Sequence, residues 1–187
     1  DTEAYFTLLD IPIPDDKEGI FHYLEQDKLI LKEDTGNWSI TNLGAILLAK
    51  NLDEFNTVKR KGIRVIQYRG NNKLETIREQ VGNKGYAIDF ENIIDIVDNI
   101  IPRNEVIGKA LRKEVPMYPE LAIRELIANS VVHQDFSISG TSPMIEIFED
   151  RIEITNPGIP LVETDRFLDN PPKSRNEQLA SFLRRIG

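Results

Sequence analysis

The sequence predicts an α+β fold, a two-layer α/β sandwich preceded by a small, mostly helical part. Three observations carry this expectation. Pro119 to His133 reads as an amphipathic helix, with Ile123, Leu126, Ile127 and Val131 at helical spacing and Pro119 suited to the first turn. Met144 to Thr155 reads as a hairpin, because Ile145, Ile147, Ile152 and Ile154 alternate around a Glu149-Asp150 turn. Gly62 to Tyr68 is a short apolar run of strand length, closed by Gly70. A two-residue turn sets Glu146 opposite Glu153, and like charges there call for a wet sheet face, with helices covering the other.

The elements follow in order. Glu3 to Leu9 is a short helix ended by Pro12 and Pro14, and Asp15 is placed to cap a second helix through Ile20, Phe21 and Leu24. Leu29-Ile30-Leu31 and Trp38-Ser39-Ile40 flank an Asp34-Thr35-Gly36-Asn37 turn, and Thr41 or Asn42 caps a helix through Leu43, Ile46, Leu47 and Leu48. Helix, helix, hairpin is the order of a winged-helix module, although the acidic second helix (Asp15, Asp16, Glu18, Glu25, Asp27) argues against reading a DNA groove. Residues 1 to 55 are therefore taken as a helical, winged-helix-like segment and residues 56 to 187 as a second domain. Within the latter, Phe90 to Ile101 is helical up to Pro102, and Glu105 to Lys113 is expected to continue as a helix before Pro116. Ser174-Arg175-Asn176-Glu177 has the form of a capping box opening a helix through Leu179, Phe182 and Leu183.

Composition narrows the classes of function. Of 187 residues, 40% are hydrophobic and 29% charged, enough for one ample core or for a domain with a smaller companion. There is no cysteine, which excludes disulfides and thiolate metal sites and fits a reducing, cytoplasmic setting. No signal peptide or membrane-length apolar run is present. The opening Asp1-Thr2-Glu3 and the closing Arg184-Arg185-Ile186-Gly187 read as cuts from a longer protein. A net charge of −8 opposes non-specific DNA binding by this stretch, so DNA is expected to be met through other domains. Lys59-Arg60-Lys61, with Arg64 and Arg69, is either a local basic patch or a solvated strand flank.

The most specific chemical pattern lies on the predicted helix of residues 119 to 133. Glu125, Asn129 and His133 are four residues apart, which stacks them on one flank. Such a row is ordinary on a solvated surface. It also offers a carboxylate to orient water and a hard amide oxygen to Mg²⁺. Asn129 is a mediocre helix former and asks for a reason to be there. His133 admits two readings, approach to a phosphate or a helix C-terminal histidine favoured by the macrodipole. Asn156-Pro157-Gly158 makes a turn readily on its own account. Lys173 and Arg175 flank a helix N-terminus, where phosphate binds well and where charged residues are also common.

Four strings in order carry a resemblance: Arg124-Glu125-Leu126-Ile127-Ala128-Asn129, His133-Gln134-Asp135-Phe136, Asp150-Arg151-Ile152-Glu153-Ile154-Thr155-Asn156-Pro157-Gly158, and Ser174-Arg175-Asn176. Glu125 to Ser130 is similar to the helix motif of the GHKL (HATPase, Bergerat-like) ATP-binding fold of gyrase B subunits, MutL proteins and sensor histidine kinases. The four strings together resemble the bacterial transcriptional regulators often labelled RecG-related, in which this region follows a Schlafen-type AlbA domain. The resemblance spans roughly residues 40 to 187. It implies that ATP and Mg are the cofactors, that Asn129 ligates Mg²⁺ and that Glu125 is the general base in members that hydrolyse. It further implies that His133, Lys173 and Arg175 lie near phosphates, that Ile159 to Lys173 is the ATP lid, and that Asn156 and Gly158 form the adenine loop. The family pattern there is Asp-x-Gly-x-Gly. Asn156 replaces the Asp with an uncharged acceptor, Pro160 stands at the second Gly, and the later glycine-rich motif would follow Gly187.

Two functions follow as expectations. One is an ATP-binding module of a transcriptional regulator, a nucleotide partner with weak ATPase activity in view. The other is a non-catalytic GHKL-like scaffold for dimerisation or partner binding, with a homodimer as the simplest assembly. Helicase chemistry is not supported: a P-loop needs Gly-x-x-x-x-Gly-Lys-Ser/Thr, whereas Arg103 stands at the first Gly and Ala110 follows Gly108-Lys109. His133, Asp135 and Ser137 lack a nucleophile elbow, and His22 and His133 are too few for a transition-metal site.

Overall fold

A computed structural model of the chain describes residues 1–107, 112–162 and 173–186, with 104–107 and 112–115 described by their backbone alone. Along the chain the elements are α1 (Thr2–Leu8), α2 (Lys17–Gln26), β1 (Ile30–Lys32), β2 (Trp38–Ile40), α3 (Asn42–Leu48), β3 (Arg64–Tyr68), β4 (Thr76–Val81), α4 (Tyr86–Ile100), β5 (Arg103–Ile107), β6 (Arg112–Pro116), α5 (Glu120–His133), β7 (Met144–Ile147), β8 (Ile152–Thr155) and α6 (Glu177–Arg185). The fold is α+β. The chain divides into two compact units that interleave in sequence: Asp1–Gly62, Asn83–Phe90 and the described part of Leu161–Gly187 in one, Ile63–Gly82 and Glu91–Pro160 in the other. A single cut near residue 55 does not describe this grouping, because α6 belongs with the N-terminal helices.

The first unit is built from capped helices around a short hairpin. Asp1 caps α1 by accepting from the Ala4 N–H at 3.2 Å. α2 is capped by Asp16, which accepts from the Gly19 N–H at 2.5 Å, and not by Asp15. β1 and β2 pair antiparallel with Ile30 opposite Ile40. The Thr41 hydroxyl caps α3 by accepting from the Gly44 N–H at 2.9 Å, and it donates back to the Lys28 carbonyl at 2.8 Å. Gly44 is required where it stands, since a Cβ there would lie 2.2 Å from the Leu29 carbonyl oxygen. The core holds Tyr5, Phe6, Leu24, Leu29, Leu47 and Leu52. α6 joins it through Phe182, stacked on Tyr5 at 6.0 Å, and through Arg185, paired with Asp27 at 2.7 Å. Asp27 also accepts from the Tyr5 hydroxyl at 2.7 Å, and burial together with that carboxylate raises the tyrosine's pKa far above its ordinary value. The expected capping box is not formed: Asn176 is the N-cap with no side-chain capping bond, and the buried Ser174 hydroxyl has no hydrogen-bond partner among the described residues.

The second unit holds a four-stranded sheet in the order β4-β3-β7-β8. β3 and β7 are parallel, and the other neighbours are antiparallel. A parallel pair needs a long crossover, which α4, β5, β6 and α5 supply. The register of the β7–β8 hairpin is the one the sequence predicts, with Glu146 opposite Glu153 and Glu149-Asp150 at the turn. Ile145 and Ile147 are buried, as are Ile123, Ile127 and Val131 of α5. Leu126, expected on that apolar stripe, is instead 52% exposed: the buried arc of α5 is completed by Ser130.

Two expectations fail here. Glu105 to Lys113 is not a helix, because β5 and β6 pair antiparallel with Arg103 opposite Pro116. Its strong helix formers are overridden by β-branched Val106, Ile107 and Val115 and by cross-strand pairing, a non-local term. Gly108 to Leu111, the stretch scanned for a P-loop, lies outside the described residues, as does 163–172 of the expected lid. The second failure is the wet sheet face: Glu146 is 2% exposed. Its carboxylate accepts from the Lys73 ammonium at 2.7 Å and the Tyr68 hydroxyl at 3.1 Å, beside a Tyr68–Phe148 stack with the Arg151 guanidinium 3.9 Å from the Phe148 centroid. Lys73 also reaches Glu153 at 3.6 Å, so one ammonium bridges the like-charge pair across the ladder, with Glu146 buried and Glu153 still partly exposed. The basic cluster also disperses: Lys61 is buried, Arg64 pairs with Glu79 and Arg69 with Glu75.

Candidate functional site

Helix α5 places Glu125, Asn129 and His133 on the flank opposite Ile123, Ile127 and Val131, and all three are exposed. The Asn129 amide donates to the Glu125 carboxylate at 3.1 Å. A carboxylate only accepts, so this bond fixes which end of the amide is nitrogen. The Asn129 carbonyl oxygen is then the end not engaged by Glu125. That is a donor set suited to Mg²⁺, which takes one or two hard oxygens and keeps its waters. Among the described residues no group of three or more His, Asp or Glu side chains is arranged to hold a metal ion.

The helix is held in place by a residue that sequence reasoning left without a role. Arg124, on the neighbouring flank, makes a two-pronged pair with Glu91 of α4 at 2.6 and 2.7 Å. The guanidinium holds the Glu91 carboxyl below the usual range, and Glu91 holds Arg124 above its own. No local motif marks Glu91 as its partner, 33 positions away.

The C-terminal end of α5 meets the turn after β8. The Asp135 N–H donates to the Pro157 carbonyl at 2.7 Å, and the Asp135 carboxylate closes an Asx turn on Ser137. Gly158 has a φ of +115°, a conformation in which glycine avoids the strain a side chain would bring. Pro157 is buried and Asn156 half-buried, its amide donating to the Pro157 carbonyl at 3.5 Å. Thus one unit carries Glu125, Asn129, His133, Asn156 and Gly158, with the two segments tied at Asp135–Pro157. Lys173, exposed, and Arg175, half-buried, precede α6 in the other unit.

Residues 140–187 match the family described as "Putative ATP-dependent DNA helicase recG C-terminal". The match takes in β7, β8, the Asn156-Pro157-Gly158 turn and α6, and it begins after Glu125 and Asn129. The likeness to that family is limited to these residues. No curated protein matches the chain. Among solved structures, the chain is similar to the DIP2311 protein from Corynebacterium diphtheriae, with a TM-score of 0.69 and 17% identity over 100% of this chain and 36% of that one. The chain thus spans about a third of that protein's length, and at this identity the likeness is one of fold. No helix among the described residues is long and apolar enough to cross a membrane.

Proposed function

We propose that this chain is the nucleotide-binding part of a RecG-related transcriptional regulator, taking Mg·ATP along the exposed flank of α5. The observation that carries the reading is the Asn129–Glu125 bond one helical turn apart, on a helix whose end is fastened to the Asn156-Pro157-Gly158 turn. Asn129 would hold the metal through its carbonyl oxygen, and Glu125 would orient water for slow hydrolysis. Asn156 would accept from the adenine amino group beside Gly158, with His133 toward the phosphates. Mg²⁺ when bound supplies charge neutralisation at the phosphates. The family match over residues 140–187 supports the same reading. DNA would be contacted by other parts of the full-length protein, in the cytoplasm.

The test is calorimetry of Mg·ATP against the full-length protein and its Glu125→Ala and Asn129→Ala variants. Asn129→Ala is expected to weaken binding at least tenfold, about 1.4 kcal/mol. Glu125→Ala is expected to abolish turnover while binding persists. Equal heats and equal turnover for all three proteins would remove the proposal and leave the non-catalytic scaffold, a reading that the uncharged Asn156 favours.

A further inference from the structure

Resting on the proposal that Asn156 is the base contact, we infer that this site does not tell 6-aminopurines from 6-oxopurines, and that the chain takes Mg·ATP and a 6-oxopurine triphosphate about equally well.

Strand alternation places the side chain. Ile154 stands opposite the buried Ile145, and Asn156 follows two residues on, continuing the same face. The opposite face of these strands is taken by Glu146 with its Lys73 and Tyr68 contacts. α5 packs beside β8, which leaves it the isoleucine face, so Asn156 and Asn129 belong to one side of the sheet.

The turn gives a base little else to meet. From Asn156 to Leu161 the residues are Asn-Pro-Gly-Ile-Pro-Leu, and Asn156 carries the one polar side chain among them. Ile159, 81% exposed, offers apolar surface that is indifferent to the group at position 6 of a purine. Whatever a side chain of this turn reads on the edge of a base, Asn156 reads.

A carboxylate at this position could only accept. A primary amide holds a donor and an acceptor side by side. A 6-aminopurine presents an amino donor beside the N1 acceptor, and a 6-oxopurine presents the O6 acceptor beside an N1–H donor. The amide pairs with either edge through two parallel bonds if it can turn over. Little prevents that. The Asn156 Nδ2 donates to the Pro157 carbonyl at 3.5 Å, longer than the usual range of about 2.7–3.2 Å. That carbonyl already accepts the Asp135 N–H at 2.7 Å. No other hydrogen bond holds the Asn156 side chain among the described residues. Turning over gives up one long bond and sets acceptor against acceptor at that distance, a small loss beside two bonds to a base. Asn129 is the contrast: its amide nitrogen is fixed on the Glu125 carboxylate at 3.1 Å, a partner that cannot donate in return.

Inosine triphosphate differs from ATP at this edge alone, and tripolyphosphate has no base. Calorimetry on the full-length protein with Mg·ATP, Mg·ITP and Mg·tripolyphosphate therefore isolates the contact. The constants for ATP and ITP are expected to agree within about threefold. Asn156→Ala is expected to weaken both by a similar factor of about five or more, to leave tripolyphosphate unchanged and to keep the far-ultraviolet spectrum. ATP bound more tightly than ITP by about tenfold or more overturns the inference and leaves the Mg·ATP reading standing. An Asn156→Ala variant that binds ATP and ITP as the unsubstituted protein does, or that loses ATP alone, overturns it as well. Absence of heat with all three probes removes the nucleotide reading and this inference together.

Discussion

Gly44→Ala sets helix propensity against packing, and the structure decides the sign. Propensity alone predicts a gain, since alanine is better than glycine in a helix by at most about 1 kcal/mol. At Gly44 the added Cβ would stand 2.2 Å from the Leu29 carbonyl oxygen and 2.9 Å from its carbon, where ordinary contact begins near 3.4 Å. The obstacle is backbone, which no rotamer change moves aside. α3 and the chain at Leu29 must therefore separate by roughly 1 Å, enough to forfeit a quarter to a half of the dispersion well for the atoms between them. Overpacking of this kind costs about 1–3 kcal/mol, here the upper end, so the net is a loss of about 2 kcal/mol. Gly19 is the internal control: it occupies the same third helical position, with its N–H likewise held by the N-cap side chain, but its Cβ would meet the Pro14 side chain at 2.9 Å. The Pro14 Cβ is fixed in its ring, so Gly19→Ala also meets an obstacle, but one carbon at 2.9 Å and not a backbone carbonyl at 2.2 Å, and it should cost less than Gly44→Ala. Trp38, the one tryptophan, sits on β2 in this same unit and reports its unfolding in urea. The expected result is a midpoint lowered clearly more for Gly44→Ala than for Gly19→Ala. A midpoint for Gly44→Ala at or above that of the unsubstituted chain, or an equal fall for both variants, would refute the packing argument.

Other expectations are as direct. Tyr5→Phe removes the donor to Asp27, a bond to a carboxylate worth about 1.5–3 kcal/mol, reduced to about 1–2 because Asp27 keeps Arg185. Tyr5 ionises above its ordinary value of 10.0 when folded. The folded chain therefore binds more protons there, and its stability is full below that value and falls as pH rises through it. Tyr5→Phe should flatten this alkaline limb in urea titrations followed by Trp38. Glu91 has the opposite sign: its carboxyl is held below the usual 4.5, so its contribution is present above that value and lost as pH falls through the lowered one. Its side chain is 71% exposed, so Glu91→Gln should cost under about 1 kcal/mol at neutral pH and nothing once both states are protonated. Amide exchange in α4 and α5 at neutral and at acid pH checks both halves.

The sequence by itself determined the features whose causes span a few residues. Thr41 and the Asp-led caps act on N–H groups three positions away. The Glu149-Asp150 turn fixes the β7–β8 register, because a two-residue loop leaves one pairing possible. The periodicity of residues 120 to 133 made α5 and put Glu125 one turn from Asn129, whose mutual bond is as local as a side-chain contact can be. Only the tertiary structure decided what depends on partners far along the chain. Glu146 reads as a solvent-facing strand residue until Lys73 and Tyr68, 73 and 78 positions away, bury it. Glu105 to Lys113 reads as a helix until cross-strand pairing overrides propensity. α6 groups with the N-terminal helices through Arg185 and Asp27, 158 positions apart. The physical reason is common to all three: hydrogen bonds within a turn or a cap are settled by neighbours in sequence, whereas burial and charge pairing are settled by whichever surfaces the folded chain brings together.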